Sequence, residues 1–358
     1  MYIGIINEIP TGKADSEPDA SVIMLANDKG IRISILTRGA SILEIRTPDR
    51  FGLFKNIAMS LFPYSQYGRG GSCAGATLGP NAGRIRGGEL CIESDTHILT
   101  QNDGRNQNHG GFDNFSFALW RIVSFEKEDD TVSLTLGHTA GDGREGYPGK
   151  RTVTVTYTLD NSNCLTIHYS GLSDKPTWLN LSNHTYWNLT GDFTAPVTGH
   201  MLEIASDEVL YNDQEHLPIG LHPVDGSPFD FRTPRIIQNQ LDTYPDHPQI
   251  RLARGYNNAY SLSGHSSVLK TAAVLSDAQS GRRITISTDY PSLVFYSGGF
   301  LDQDTLLAGG VTASPSCAAA FEAQEFPDAL HLPGVPHPIL YPGEKWERMI
   351  SYAFDLIN

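Results

Sequence analysis

Residues 152–159 read TVTVTYTL, and no other stretch restricts the folding of this chain so tightly. Apolar β-branched or aromatic side chains alternate there with threonine at period two, a pattern that one face of a sheet buries and a helix does not. Asp160, Asn161, Ser162 and Asn163 follow as a turn cluster, and residues 165–170 (LTIHYS) alternate again. Short polar side chains hydrogen-bond their own backbone in turns, so the segment reads as a hairpin with a mechanism. Similar runs recur at residues 30–37, 131–138, 201–205, 269–276, 282–288, 293–296, 318–322 and 346–353, punctuated by 35 glycines and 21 prolines. Helical signals are few: Thr233-Pro234 is an N-cap and first-position pair that would open a helix over residues 235–241. No segment sustains a 3.6 period over four turns, so repeated strand–helix–strand units are not supported. The acidic stretch 126–130 reads as a solvated turn. With no repeat or linker, the expectation is a single all-β domain over residues 1–358, an antiparallel β-sandwich with few short helices.

Charge and absent motifs narrow the chemistry. The 358 residues carry a net charge of −14, the wrong sign for a protein that works by neutralising phosphates, so nucleic acid and anionic membrane are poor partners. No apolar stretch approaches the roughly 18 residues of a membrane helix. The N-terminal residues lack the basic and apolar regions of a signal peptide, so a cytoplasmic protein is expected. Its four cysteines (Cys73, Cys91, Cys164, Cys317) contain no C-x-x-C, which argues against a zinc ribbon or a disulfide scaffold. There is no phosphate-binding G-x-x-x-x-G-K-[ST], no dinucleotide G-x-G-x-x-G opening a helix, no G-x-S-x-G and no H-E-x-x-H. His331 and His337 bracket a loop, HLPGVPH, too proline-bound to argue for a metal. Chemistry without metal or cofactor is favoured.

Four segments carry side chains suited to catalysis: GATLGPNAGRIRGG (75–88, with Arg84 and Arg86), NHGGFDNF (108–115, with His109), WLNLSNHTYWNLTGD (178–192) and AFEAQEFPDALHLPG (320–334, with Glu322). In the third, an extended chain would place Asn180, Ser182, His184, Tyr186 and Asn188 on one face. That face is too polar for a sandwich core and suits a pocket that hydrogen-bonds hydroxyl groups, with aromatic rings alongside. Carbohydrate is the natural ligand of such a surface. Taken singly, each residue has a plainer use: Arg84 as a loop clamp, His109 as a turn cap, His184 as a satisfied buried histidine. Glu322, closing the apolar run Ala318-Ala319-Ala320-Phe321, would be costly to bury without a purpose.

Together, in order over roughly residues 30–354, these segments resemble the aldose 1-epimerase (galactose mutarotase) family. GATLGPNAGRIRGG is similar to its G-A-x-x-G-x-x-A-[NG]-R-I-x-x-G segment, and NHGGFDNFSFALW to its H-G-G segment. DGREGYPGKRTVTVTYTL, PTWLNLSNHTYWNLTGD, FYSGGFLD and EAQEFPDALHLPGVPHPILYPGE resemble its later blocks. The resemblance implies a β-supersandwich and interconversion of the α and β anomers of a free sugar by general acid–base ring opening and closure. It implies Glu322 as base and His184 as acid, with Arg84 and His109 binding substrate and no cofactor. Asn257, in RGYNNAY, stands where the family carries a substrate-binding aspartate, and Asn258 where it carries a histidine. Val294 stands where many members carry glutamine. Asn257 still hydrogen-bonds hydroxyls but brings no charge. The partner expected is a small sugar, on a monomer or homodimer. The alternatives are the same scaffold acting on a non-standard sugar or lactol, and a non-catalytic sugar-binding protein.

Overall fold

The alternation in TVTVTYTL becomes the strand Arg151–Asp160, whose Val153, Val155, Tyr157 and Leu159 are fully buried while the intervening threonines stay partly exposed. It pairs with Cys164–Ser173 through the expected turn. There Asp160 Oδ1 accepts the backbone N–H groups of Ser162 (2.8 Å) and Cys164 (2.9 Å), and Asn163 adopts a φ of 69°. On the outer face Thr158 and Thr156 hydrogen-bond Ser133 (2.8 Å) and Thr135 (2.9 Å) across the ladder, pairs that add to sheet stability.

A computed structural model describes residues 1–9, 20–68, 73–262 and 268–357. The hairpin lies within a nine-stranded antiparallel sheet. Its order runs Arg121–Lys127, Thr131–Ala140, Arg151–Asp160, Cys164–Ser173, Trp346–Leu356, Arg282–Thr288, Lys270–Ser276, Met201–Ile204, Arg235–Ile236. A six-stranded antiparallel sheet runs Tyr186–Trp187, Ala319–Gln324, Ser292–Tyr296, Asn257–Ser261, Glu208–Asn212, Pro218–Pro223. A five-stranded meander occupies the N-terminal region, from Tyr2–Ile9 to Phe54–Asn56. One core cluster joins all three, holding Ile33 and Ile35 with Val155 and Tyr352, and with Leu293, Phe295 and Phe321 of the six-stranded sheet. Under that sheet the rings of Tyr256, Phe295 and Phe321 stack in series at centroid spacings of 5.1 Å. The all-β expectation holds.

Two local expectations need correction. Thr233-Pro234 opens no helix: Arg235–Ile236 is an edge strand, and the helix Ile237–Thr243 starts from Ile236 without a side-chain cap. Pairing of Arg235 and Ile236 with Leu202 and Met201 claims the backbone that the helix would have used. The polar run also is not one strand. Ser182–Asn183 pairs with Thr77–Leu78, and Tyr186–Trp187 with Ala319 and Ala320. Its side chains divide accordingly. Asn180 bonds Asn81 and the Ala82 carbonyl, Ser182 the Ala323 carbonyl, and Asn188 the Cys317 carbonyl (2.8 Å). At this junction buried carbonyls need donors, and the run supplies them.

One contact ties the meander to the segment carrying His184. Gly75, at φ 69°, donates its N–H to the His184 carbonyl (2.8 Å), and a Cβ there would meet the Ile42 carbonyl oxygen at 1.9 Å. Gly75→Ala is expected to lose about 3 kcal/mol, from the left-handed backbone and the overlap together. A denaturant midpoint unchanged from wild type would contradict this account.

Candidate active site

Glu322 sits near the middle of Ala319–Gln324, a strand buried on both faces. Phe321 and Ala323 face the main core, and Glu322 faces the other side, into an open-sided cleft of about 250 Å³. Arg84, His109, His184, Asn257 and Glu322, the acid, base and substrate-binding residues implied by the resemblance, all line this cleft together with Asn108 and Tyr186, whereas Arg86, Asn180, Ser182 and Asn188 do not.

Backbone pairing positions His184. Its N–H donates to the Ala76 carbonyl (2.9 Å), its carbonyl accepts from Gly75, and Asn183 Nδ2 donates to the Gly75 carbonyl (3.0 Å). His184 Nε2 then lies 3.6 Å from Glu322 Oε1, the two residues only 5% and 4% exposed. That gap is too long for a strong hydrogen bond and leaves both groups available to a third. Burial raises the Glu322 carboxyl above its usual range, while His184 and Arg84 pull it part of the way back.

His109 has a left-handed φ of 50° and is pinned to Gly83 from both sides. Its N–H donates to the Gly83 carbonyl (3.0 Å), and its Nδ1 accepts the Gly83 N–H (3.1 Å). Burial first, then His184 and Arg84, push its pKa well below 6.5. The ring is therefore neutral with its proton on Nε2, a hydrogen-bond donor. Arg84 pairs in register with Asn108, and its Nε donates to Asp103 Oδ2 at 2.7 Å. Asn257 leaves its side-chain amide without a protein partner among the described residues, while its carbonyl accepts from Asn212 (2.9 Å). Asn258 points away, donating to the Leu210 carbonyl and to Gln249. Arg86 is a clamp, bonded to Asp328, Asp213 and the Pro218 carbonyl.

The two glycines after His109 make room for packing within the protein. A Cβ on Gly110 would meet the Gly79 carbonyl at 2.4 Å, and one on Gly111 the Glu145 carboxylate at 2.0 Å. Asn212, His216 and Gln324 also line the cleft and were not singled out by the sequence. The short helix Pro248–Ala253 places Asn212: Gln249 exchanges hydrogen bonds with its N–H and carbonyl, each 2.8 Å. A His-Pro pair at positions 247 and 248, with His247 capping the helix, is the signal that could have found it. Among the described residues, Asn108 Oδ1, His184 Nδ1, His216 Nδ1 and Gln324 Oε1 are buried without partners. Each such atom costs about 1–3 kcal/mol unless something hydrogen-bonds it, and all four belong to cleft residues. Cys73 lines the cleft too, but burial pushes its thiol up to about 12, so it is no nucleophile.

His109, His184 and Glu322 also form, among the described residues, a cluster of metal-ligand type with donor atoms within 4.8 Å. The Gly83 hydrogen bond argues against that use, because it holds the tautomer in which His109 Nε2 has a proton rather than a lone pair. His331 and His337 serve separately, on Asp328 and the Val335 carbonyl.

A β-sandwich with a buried carboxylate and imidazole at the floor of a cleft, ringed by unsatisfied polar atoms, is suited to acid–base chemistry on a small hydroxylated molecule. Residues 21–353 match the family described as Aldose 1-epimerase. The aldose 1-epimerase of Escherichia coli (strain K12) is 31% identical over 353 residues, 98% of this chain and 99% of that protein. The galactose mutarotase of Rattus norvegicus is 30% identical over 98% of each chain. The crystal structure of galactose 1-epimerase from Lactobacillus acidophilus NCFM matches with a TM-score of 0.84 at 28% identity, covering 100% of this chain and 99% of that one. The chain belongs to the aldose 1-epimerase family and is an isomerase.

Two outcomes follow from the electrostatics. In two-bond 1H–15N spectra His109 is expected to remain the neutral Nε2–H tautomer through pH 6, and an imidazolium there would contradict the lowered pKa. Glu322, raised in the fold above its ordinary 4.5, contributes stability that is complete below that value and lost as pH rises through the folded pKa. Glu322→Gln should therefore melt above wild type at pH 8, with the difference closing toward pH 4. Equal melting at pH 8 would show that the carboxylate carries no burial cost.

Proposed function

We propose that the cleft opens and recloses the ring of a free aldose, with Glu322 as general base and His184 as general acid. The observation that carries this reading is the buried pair 3.6 Å apart, with no hydrogen bond joining either side chain to another described residue. Glu322 takes the proton of the anomeric hydroxyl O1 while His184 gives a proton to the ring oxygen O5. The C1–O5 bond breaks, the O1–H electron pair becomes the C=O bond of the open-chain aldehyde, and charge is conserved. Rotation about C1–C2 presents the other carbonyl face. O5 then attacks C1, returning its proton to His184 as O1 recovers one from Glu322. A carboxyl raised by burial is a stronger base than an exposed one, which suits this exchange. His109 Nε2–H, Arg84 and the amide of Asn257 hold the remaining hydroxyls.

The same proposal takes the chain as one domain, a monomer or homodimer in the cytoplasm; limited proteolysis, sedimentation velocity and cell fractionation check these in turn. Among the described residues no helix is long and apolar enough to cross a membrane.

Polarimetry of freshly dissolved α-D-glucose and α-D-galactose tests the chemistry. Glu322→Gln is expected to fold yet lose about 10² or more in kcat. In wild type the acid limb of kcat/KM is expected to lie above 4.5, the ordinary glutamate value. Near-normal turnover by Glu322→Gln would remove the assigned base.

A further inference from the structure

Three strands of the six-stranded sheet and the segment that flanks them set four side chains in one line across the cleft floor. Ser182 Oγ donates to the Ala323 carbonyl (2.8 Å) and Tyr186 pairs with Ala320, so residues 182–186 run beside the Glu322 strand, on the side opposite Ser292–Tyr296, and His184 Nε2 lies 3.6 Å from Glu322 Oε1. Glu322 pairs with Val294, and Val294 with Ala259. Neighbouring strands lie about 4.8 Å apart, so beyond His184 the line steps evenly from carboxylate to isopropyl to methyl. Val294 and Ala259 both line the cleft, are both buried, and offer no hydrogen-bonding atom on their side chains.

The next step rests on the ring-opening reading, which fixes how the sugar lies. With O5 toward His184 and O1 at Glu322, the other ring neighbour of C1 extends along the line away from His184 and comes over Val294. That neighbour is C2. We infer that this enzyme meets C2 of its sugar with hydrocarbon, and that its substrates are aldopyranoses irrespective of the C2 substituent, 2-deoxy aldoses included. A hydroxyl turned onto Val294 would give up water and gain no partner, so C2 is held by its C–H side. Asn257, diagonal to Val294 at about 7–8 Å, reads the ring further from C1.

The test compares D-glucose, D-mannose and 2-deoxy-D-glucose, as kcat/KM by polarimetry above the spontaneous rate and as dissociation constants by ligand-observed NMR. Both quantities are expected to agree within about threefold across the three sugars, because a site built to hydrogen-bond a hydroxyl rejects the analogue lacking it by about 10⁴-fold. A loss of about 10²-fold or more for the 2-deoxy sugar overturns the inference. Val294→Thr and Val294→Gln each place a polar atom under C2 and should shift preference toward glucose over 2-deoxyglucose by about tenfold. If both fold, by circular dichroism, and leave that ratio at the wild-type value, C2 does not lie over Val294. Failure of the ring-opening reading looks different: all three sugars then exchange no faster than with Glu322→Gln, while the dissociation constants still report the C2 contact.

Discussion

A carboxylate inside a strand covered on both faces is the constraint around which the rest of this molecule is arranged. Glu322 has a stacked aromatic layer behind its strand and the cleft in front. Its electrostatic support comes from His184 and Arg84 rather than from a bonded cation. Glu325, three residues on, shows the other solution. It is equally buried, but Arg348 Nε donates to it at 2.9 Å and Asn180 fixes its backbone N–H. A buried charge without its counterion is expensive and is retained only where something uses it. The contrast separates a working carboxylate from a structural one on the same segment.

The sequence went part of the way: Glu322, closing the run 318–321, read as costly to bury without a purpose, and the resemblance gave it the role of base, but nothing marked Glu325 as an equally buried acid with a bonded cation. The sandwich was legible for a physical reason: period-two alternation over residues 152–159 admits a sheet and little else, and the Asp160 turn closes it locally. Short strands of the six-stranded sheet, such as Glu208–Asn212, show too little alternation to stand out, because their burial is decided by distant partners. The polar run at 178–192 was misread for a related reason. Its residues do share an environment, but for Asn180, Ser182 and Asn188 that environment is a knot of backbone carbonyls. Polarity in a buried strand signals a need for donors without saying whose need it is.

The site also divides its polar atoms into two populations. Asn81, Asn180, Asn183 and Gln249 are bonded within the protein and fix the backbone around the cleft. Asn108, His184, His216 and Gln324 each keep one buried atom unbonded. Rigid supports of the first kind make the second tolerable, since a mobile loop would fold its unsatisfied atoms back onto itself.

His184 takes its place from backbone bonds to Ala76 and Gly75, and Glu322 from its ladder with Val294, so two separate backbone pairings set the gap between proposed acid and base. Both are peptide hydrogen bonding, which does not vary with the side chains that decorate it. The spacing of the reacting pair is thus fixed by main chain on both sides. Positions further along the row, Val294 and Ala259, can therefore change without moving either member of the pair.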